Sequence, residues 1–140
     1  MAYKVHAGPA ELPNPLMREG FASAATLPGK VVVKNGNDLD IADETATGQL
    51  LFVKEAGPGE GGKISDAFAS GDQMEAYVAR QGLYFRARLV TGQALVEGET
   101  LLERAASGRL TVVAAGVPVA VARTTVTTGA DDELVLVEVL

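Results

Sequence analysis

Apolar and polar side chains alternate along much of this chain with a period of two residues, which is the spacing of half-buried β-strands. The alternation is clearest in residues 71–101. There Met74 and Val78 fall on one face of a predicted strand, and Phe85 and Leu89 share a face of the next strand. The glycine of the Gln81-Gly82 turn accepts positive φ, so the pattern predicts that these two strands form a hairpin.

Short aliphatic and β-branched runs separated by glycine turns continue the pattern through the rest of the chain. Asn35-Gly36 is a strong hairpin signal, and residues 134–140 form an almost continuous apolar run of the kind usually buried on both faces. Residues 66–70 have room for one helical turn. The predicted fold class is all-β with at most this one short helix, arranged as a compact β-barrel or sandwich.

Two stretches of the sequence have a similar order of turns and strands. Residues 28–36 (PGKVVVKNG) resemble residues 97–108 (EGETLLERAASG), and each stretch ends in a turn. We therefore predict that residues 29–80 and 98–140 are pseudo-repeats of one β unit within a single domain at residues 21–140. Glycine and valine are common residues, so a chance match is the alternative.

The first 20 residues interrupt the strand pattern, because their prolines remove backbone donors and favour extended chain. The segment nevertheless carries apolar side chains that a solvated tail would lack. These are Tyr3, Val5, Leu12, Leu16 and Met17. We predict an extended N-terminal arm at residues 1–20 that contacts a partner through these side chains or lies on its own domain.

Composition narrows the classes of partner and site. The net charge of -6 argues against nucleic acid, which requires a concentrated basic surface. No apolar run approaches the ~18 residues of a membrane span, and the N-terminus lacks a signal-peptide pattern, so no membrane association is expected. The absence of cysteine excludes disulfides and thiolate metal sites.

One glycine-rich segment comes close to a nucleotide-binding motif. Residues 57–63 (GPGEGGK) match G-x-x-x-x-G-K, but Ile64 stands where a Ser or Thr hydroxyl would hold Mg²⁺, and Gly71 leaves no room for a long helix. A flexible surface loop is the favoured interpretation.

Other candidate sites are weaker. His6 is the only histidine and lies in the arm, with no Cys- or Ser-based constellation that could use it, so neither a catalytic triad nor a histidine-based zinc site is expected. The acidic clusters at residues 38–44 and 131–133 lack the spacing of a calcium loop, so solvated turns are expected. We expect no catalytic residue, no cofactor and no metal, and therefore no enzyme.

Arg86 and Arg88 lie two positions apart and share one face of a predicted strand. Two interpretations remain open for this pair: a solvated face, or a contact with another subunit or with a shell. A carrier domain would need a lysine at a hairpin tip, and Lys34 is only adjacent to one.

Several motifs together resemble a known family. The segments GKVV at 29–32, ATGQLL at 46–51, SGDQM at 70–74 and YVARQGLYF at 77–85 are similar to head decoration, or cement, proteins of tailed bacteriophages. Residues 98–140 resemble the end of related capsid-stabilising proteins.

The resemblance implies a non-enzymatic virion protein that binds the outside of the capsid and stabilises the expanded shell. Its implied partners are the major capsid protein, met through the arm, and further copies of itself in a homotrimer. It would pass from the host cytoplasm to the outer capsid surface during assembly. The alternatives are a small bacterial β-module for ligand or carrier binding, and a nucleotide-binding protein that uses residues 57–63.

Overall fold

The computed structural model describes residues 5–8, 16–56 and 63–140. The regular secondary structure of these residues is almost entirely β-strand, which confirms the predicted all-β class. The strands of the first half are β1 (His6–Gly8), β2 (Met17–Ala22), β3 (Val31–Asn35), β4 (Asp38–Ile41), β5 (Leu51–Val53) and β6 (Gln73–Val78). Those of the second half are β7 (Tyr84–Leu89), β8 (Ala94–Leu95), β9 (Leu101–Arg104), β10 (Leu110–Val112), β11 (Ala120–Ala122), β12 (Val126–Thr127) and β13 (Glu133–Val139).

Strands β2 to β6 close into a barrel in the order β2-β4-β3-β5-β6, called here the N-terminal barrel. β2 and β4 are parallel, and all other neighbours in it are antiparallel. The predicted Asn35-Gly36 turn joins β3 to β4, with Asn35 opposite Asp38 and Gly36 at φ 61. The apolar interior of the N-terminal barrel is formed by Ala22, Val32, Leu39, Leu51, Val53, Met74, Ala76 and Val78.

Five strands of the second half close into another ring, β7-β10-β9-β11-β13, because β13 pairs with β7. In this C-terminal barrel β7 and β10 are parallel, and the other neighbours are antiparallel. β8 and β12 form a separate two-stranded ribbon, and β1 adds to β7. The buried apolar residues of the ring are Phe85, Ala87, Leu89, Leu102, Leu110, Ala120, Val121, Ala122, Val135, Val137 and Val139.

The two barrels have the same strand order and the same pattern of parallel and antiparallel pairs, so that β2, β3, β4, β5 and β6 correspond to β7, β9, β10, β11 and β13. Their main-chain hydrogen bonds correspond as well. The Gly29 N–H donates to the carbonyl of Val53 at 2.8 Å, and the Gly98 N–H donates to that of Ala122 at 2.8 Å. The other corresponding donor–acceptor pairs are Ala42 to Val31 with Val113 to Leu101, and Ala79 to Leu50 with Leu140 to Val119.

The corresponding units begin one strand before the predicted pseudo-repeats, since β2 and β7 precede residues 29 and 98. In each barrel this first strand enters through a parallel pair with the third strand of the unit, which is a non-local contact. Superposition of residues 29–80 on residues 98–140 stays a prediction.

The predicted hairpin across Gln81-Gly82 is wrong. In the described part of the chain, β6 pairs with β2 and β5, whereas β7 pairs with β1, β10 and β13. β6 pairs with strands of the N-terminal barrel and β7 pairs with none of them, so the turn connects two barrels instead of two paired strands. Gly82 still adopts positive φ, at 87°.

The predicted helical turn at residues 66–70 is also wrong. Phe68 forms an isolated antiparallel bridge with Thr26, with N–H to carbonyl distances of 2.8 and 2.9 Å. Its side chain packs against the interior of the N-terminal barrel, which an extended segment allows. A 3-10 turn lies at Ala106–Gly108, and the described residues contain no helix long and apolar enough to cross a membrane.

The last strand is buried on one face more completely than on the other. Val135, Val137 and Val139 are buried, Leu134 and Leu136 are half-buried, and Leu140 is 49% exposed. The apolar run is therefore not buried along its whole length, because its alternate side chains point out of the barrel.

The barrels join through one continuous apolar cluster. Val31, Phe52 and Tyr77 are neighbours across β3, β5 and β6, and they are buried together with Phe85 of the C-terminal barrel. The rings of Phe52 and Phe85 stack with centroids 5.0 Å apart. Burial of each such side chain contributes about 1.5–3 kcal/mol, so the contact holds the barrels together.

Gly108 lies at a close backbone approach of the two barrels. Its N–H donates to the carbonyl of Ala42 at 2.8 Å, and its φ is 71°. A Cβ at this position would lie 2.9 Å from the carbonyl oxygen of Val31. Glycine is therefore required by both conformation and space.

We expect Gly108→Ala to destabilise the protein more than Gly36→Ala does. Both substitutions place alanine at positive φ, at a cost of about 1–2 kcal/mol. Only Gly108 has a backbone atom in the way, which adds about 1–3 kcal/mol, whereas nothing lies within 4 Å of a Cβ at Gly36. Urea unfolding of both variants measures the difference, and equal losses would show that the barrels separate readily at this point.

Candidate functional site

The first described residues of the predicted arm lie on the chain's own domain. Val5 is fully buried; its carbonyl accepts from the Arg86 N–H at 2.7 Å, and its N–H donates to the carboxylate of Glu55 at 2.9 Å. The ring of His6 lies 5.7 Å from that of Phe85. Strand β1 thus extends the sheet of the C-terminal barrel while contacting the N-terminal one.

The phenol of Tyr77 lies under this segment, with its ring 5.8 Å from that of His6. Burial raises the pKa of Tyr77, and the carboxylates of Glu55 and Glu75 raise it further. The hydroxyl therefore stays neutral at physiological pH.

The other arm residues have different surroundings. Leu16 and Met17 are 52% and 40% exposed, at the start of β2. Tyr3 and Leu12 lie outside the described residues. The predicted boundary between arm and domain at residue 20 falls inside β2, and contact of the arm with a partner stays a prediction.

The outer face of β2 is unusually apolar for an exposed strand. Met17, Glu19 and Phe21 all point outward, and Phe21 is 47% exposed. The register is set by Gly20, where a Cβ would lie 2.9 Å from the side chain of Leu39 inside the barrel. A shift by one residue would place a large side chain there, so the exposed apolar face is a consequence of the barrel's packing.

Arg88 is a buried side chain at the junction of the two barrels, and it donates hydrogen bonds to backbone carbonyls from both halves of the chain. It is only 8% exposed, and its guanidinium donates to the carbonyls of Pro28 at 2.8 Å, Asp132 at 2.9 Å and Ile64 at 2.5 Å. Burial lowers the pKa of Arg88, while the charge of Asp132 partly offsets that effect. Three backbone carbonyls distributed over both halves of the chain thus depend on one side chain.

Arg86 and Arg88 share a strand face as predicted, opposite Leu136 and Leu134 of β13. The solvated face is wrong for Arg88, because that part of the face is covered by the N-terminal barrel. Arg86 is half-buried, and its contact with another subunit or a shell stays a prediction.

A second polar cluster at the same junction centres on Asp132. Its carboxylate lies 3.4 Å from the Lys30 ammonium and 2.8 Å from the Arg109 guanidinium. Burial by itself raises the pKa of Asp132, but the hydrogen bond from Arg109 and the two positive charges outweigh it and leave the pKa lowered. The expected solvated turn at 131–133 is therefore wrong for Asp132, which is a junction residue.

The sequence carried little signal for these two clusters. Alternation places an arginine on a strand face without saying what covers that face. The turn at Asp132 has a φ of 65°, which is uncommon outside glycine and which no sequence pattern predicted.

A cleft of about 510 Å³ lies between the loop at residues 44–48 and the C-terminal barrel. Arg104 lines it and donates to the carbonyl of Gly48 at 3.0 Å, and its buried Nε has no hydrogen-bond partner. Burial lowers the pKa of Arg104. Glu103 on the same cleft accepts from the Gly116 N–H at 2.7 Å. These groups can bind a polar chain, but they do not pair a nucleophile with a base.

The described ranges contain no group of His, Asp or Glu side chains arranged to hold a metal ion. The nucleotide-loop hypothesis falls mostly on residues 57–62, which lie outside those ranges. Of its flanks, Lys63 is exposed and Ile64 is buried.

The chain is similar in fold to the head fiber gp8.5 N base of bacteriophage phi29, with a TM-score of 0.56 at 11% sequence identity. The likeness covers 89% of this chain and 93% of that chain, so it extends over both barrels. No protein-family model and no curated protein matches the chain. At this identity the likeness shows a shared fold.

We expect Arg88→Met to destabilise the protein by about 3 kcal/mol, because it keeps the apolar stem and leaves buried carbonyls without a donor. The same substitution at exposed Arg18 is the matched control and should change stability by less than about 0.5 kcal/mol. Chemical unfolding of the two variants gives both values. Equal effects would mean that water replaces the guanidinium at the junction.

A separate expectation concerns Asp132 and pH. Its folded pKa is below the unfolded value, so its stabilising effect is present above the unfolded pKa and is lost as pH falls through the folded pKa. Asp132→Asn should therefore be less stable than the unsubstituted protein at pH 7, and the gap should narrow below about pH 4. Melting curves from pH 7 to pH 3 test this, with exposed Asp38→Asn as control; a gap independent of pH would contradict it.

Proposed function

We propose that this chain is a non-enzymatic structural protein of a tailed-phage virion, which binds the outside of the capsid and stabilises the expanded shell. The observation that carries the proposal is the fold likeness to a phage head fiber base over 89% of the chain. The sequence resemblance to head decoration proteins points in the same direction from different residues. Two barrels joined by a buried junction also suit a rigid building block.

The proposed partners are the major capsid protein and further copies of this chain in a homotrimer. A trimer would bring three arms to the shell at once, so that the second and third contacts become effectively intramolecular and raise avidity. Neither nucleic acid nor membrane is a proposed partner. The proposed location is the outer capsid surface, reached from the host cytoplasm.

The structure changes which part of the arm is suited to this contact. Val5 belongs to the chain's own core, where it contributes about 1.5–3 kcal/mol of stability. Contact with the capsid is therefore proposed for the arm residues other than Val5 and β1. Tyr3, Leu12, Leu16 and Met17 are the proposed contact side chains.

We expect a Tyr3→Ser and Leu12→Ser double variant to lose attachment to expanded, undecorated heads by at least about tenfold, because about 1.4 kcal/mol of lost contact has that effect. Its melting temperature should stay unchanged. Co-sedimentation with heads of the encoding phage measures attachment.

Val5→Ala is the matched control, since it removes apolar contact from the chain's own core. It should lower the melting temperature and leave attachment intact at temperatures where the protein is folded. Full attachment of the double variant would remove the arm from the contact. Failure of the unsubstituted protein to attach would overturn the proposed function.

A further inference from the structure

The contact between the two barrels uses two different surfaces. The N-terminal barrel contributes the corner face, defined as Gly29, Val31, Leu50 and Phe52, all of which are buried. The C-terminal barrel contributes the receiving face, which is the outer side of β7 and β13. Because the two faces differ from each other, the contact is of the heterologous, or head-to-tail, kind.

The receiving face accepts the corner at close range. A Cβ at Gly29 would lie 2.9 Å from the carbonyl oxygen of Arg86, 3.2 Å from the side chain of Leu134 and 3.6 Å from that of Arg88. Gly29 therefore packs against β7 and β13 of the C-terminal barrel.

Because the barrels have the same connectivity, the C-terminal barrel has a corner face of its own. This second corner follows from the corresponding main-chain hydrogen bonds of the two barrels. In them Gly98 takes the place of Gly29, Leu101 that of Val31, and Val119 that of Leu50. Where the first corner is buried throughout, three of the four residues of this second one are accessible. Gly98 is exposed, Leu101 is 40% exposed and Val119 is half-buried, whereas Val121, the counterpart of Phe52, is 7% exposed.

The N-terminal barrel likewise has a second receiving face. The parallel pair Ala22–Leu39 corresponds to Leu89–Leu110, which aligns β2 with β7. This alignment places Phe21 where the other barrel has Arg88. The pair Phe21–Gln73 then matches the pair Arg88–Leu134.

The exposed large apolar side chains of the described residues gather at these two open faces. One group lies on β2 or directly before it. The other lies on the second corner, in the segments that lead into it or, for Leu140, beside it, since the Leu140 N–H donates to the carbonyl of Val119. The first group is Leu16, Met17 and Phe21, and the second is Val96, Leu101, Val117 and Leu140. Apolar groups concentrated at two sites in this way indicate interaction surfaces.

We propose that the open corner face of one copy docks on the open receiving face of a second copy, repeating the contact that the two barrels make within one chain. Such a contact is heterologous, so it closes into a ring or extends as a filament. In the proposed trimer, three copies would place six barrels in one ring. The inference depends on the internal correspondence of the barrels and does not require that the ring attach to a capsid.

The contact between copies would differ chemically from the one within the chain. Phe21 takes the place of the Arg88 guanidinium, so an apolar contact replaces hydrogen bonds to carbonyls. Glu19 on the receiving face would approach Glu97 and Glu99 beside Gly98, all three of which are exposed. Carboxylates repel one another, and salt screens that repulsion, so association should strengthen as salt is raised.

Sedimentation velocity tests the arrangement with one variant for each face. Phe21→Asp spoils the receiving face and Leu101→Asp spoils the corner, so each variant alone should be monomeric where the unsubstituted protein associates. Each variant keeps the face that the other has lost. An equimolar mixture should therefore form dimers and nothing larger.

Ala106→Asp, at an exposed position in the 3-10 turn, is the control and should associate normally. Thermal melts confirm that all three variants fold. An unsubstituted protein that stays monomeric, single variants that keep its oligomeric state, or a mixture that remains monomeric would each overturn the head-to-tail contact.

Cross-linking locates the contact independently. Since the chain has no cysteine, Gln73→Cys with Glu97→Cys introduces one thiol beside each open face. Mild oxidation should link separate chains into oligomers, whereas the control pair Thr45→Cys with Glu97→Cys should not. Links confined within single chains would contradict the proposal, and normal attachment to heads despite that result would leave the proposed function standing.

Discussion

The burial of one apolar face between the two barrels is the contact on which the rest of the structure depends. Each barrel is built from short strands, and β5 and β11 have only three residues each. A small barrel buries little apolar surface by itself. Here the outer side chains of Val31, Phe52 and Tyr77 join the cluster that fills the C-terminal barrel, so the two units share one core.

The polar groups at the junction follow from that burial. Once the faces close, the carbonyls of Pro28 and Ile64 are removed from water, and an unsatisfied buried carbonyl is costly. Arg88 supplies the donors, and Asp132 holds Lys30 and Arg109 at the rim. The junction is therefore both apolar and specific.

The duplication also explains how a chain with a well-packed junction retains exposed apolar residues. Each of the two corresponding units has a corner and a receiving face, and one chain can satisfy only one corner and one receiving face. Phe21 lies on the receiving face and Leu101 on the corner face that remain exposed. The proposed contact between copies would therefore repeat the kind of contact that holds the two barrels of one chain together.

The sequence by itself determined the all-β class, most strand positions and the Asn35-Gly36 turn, because these depend on local periodicity and on backbone freedom at glycine. It also contained two stretches with a similar order of turns and strands, from which we predicted pseudo-repeats. The tertiary structure alone decided that β6 and β7 belong to different barrels, and that Val5 and Arg88 are buried. Alternation assigns a side chain to one face of a strand. What covers that face depends on non-local pairing, which no local pattern encodes.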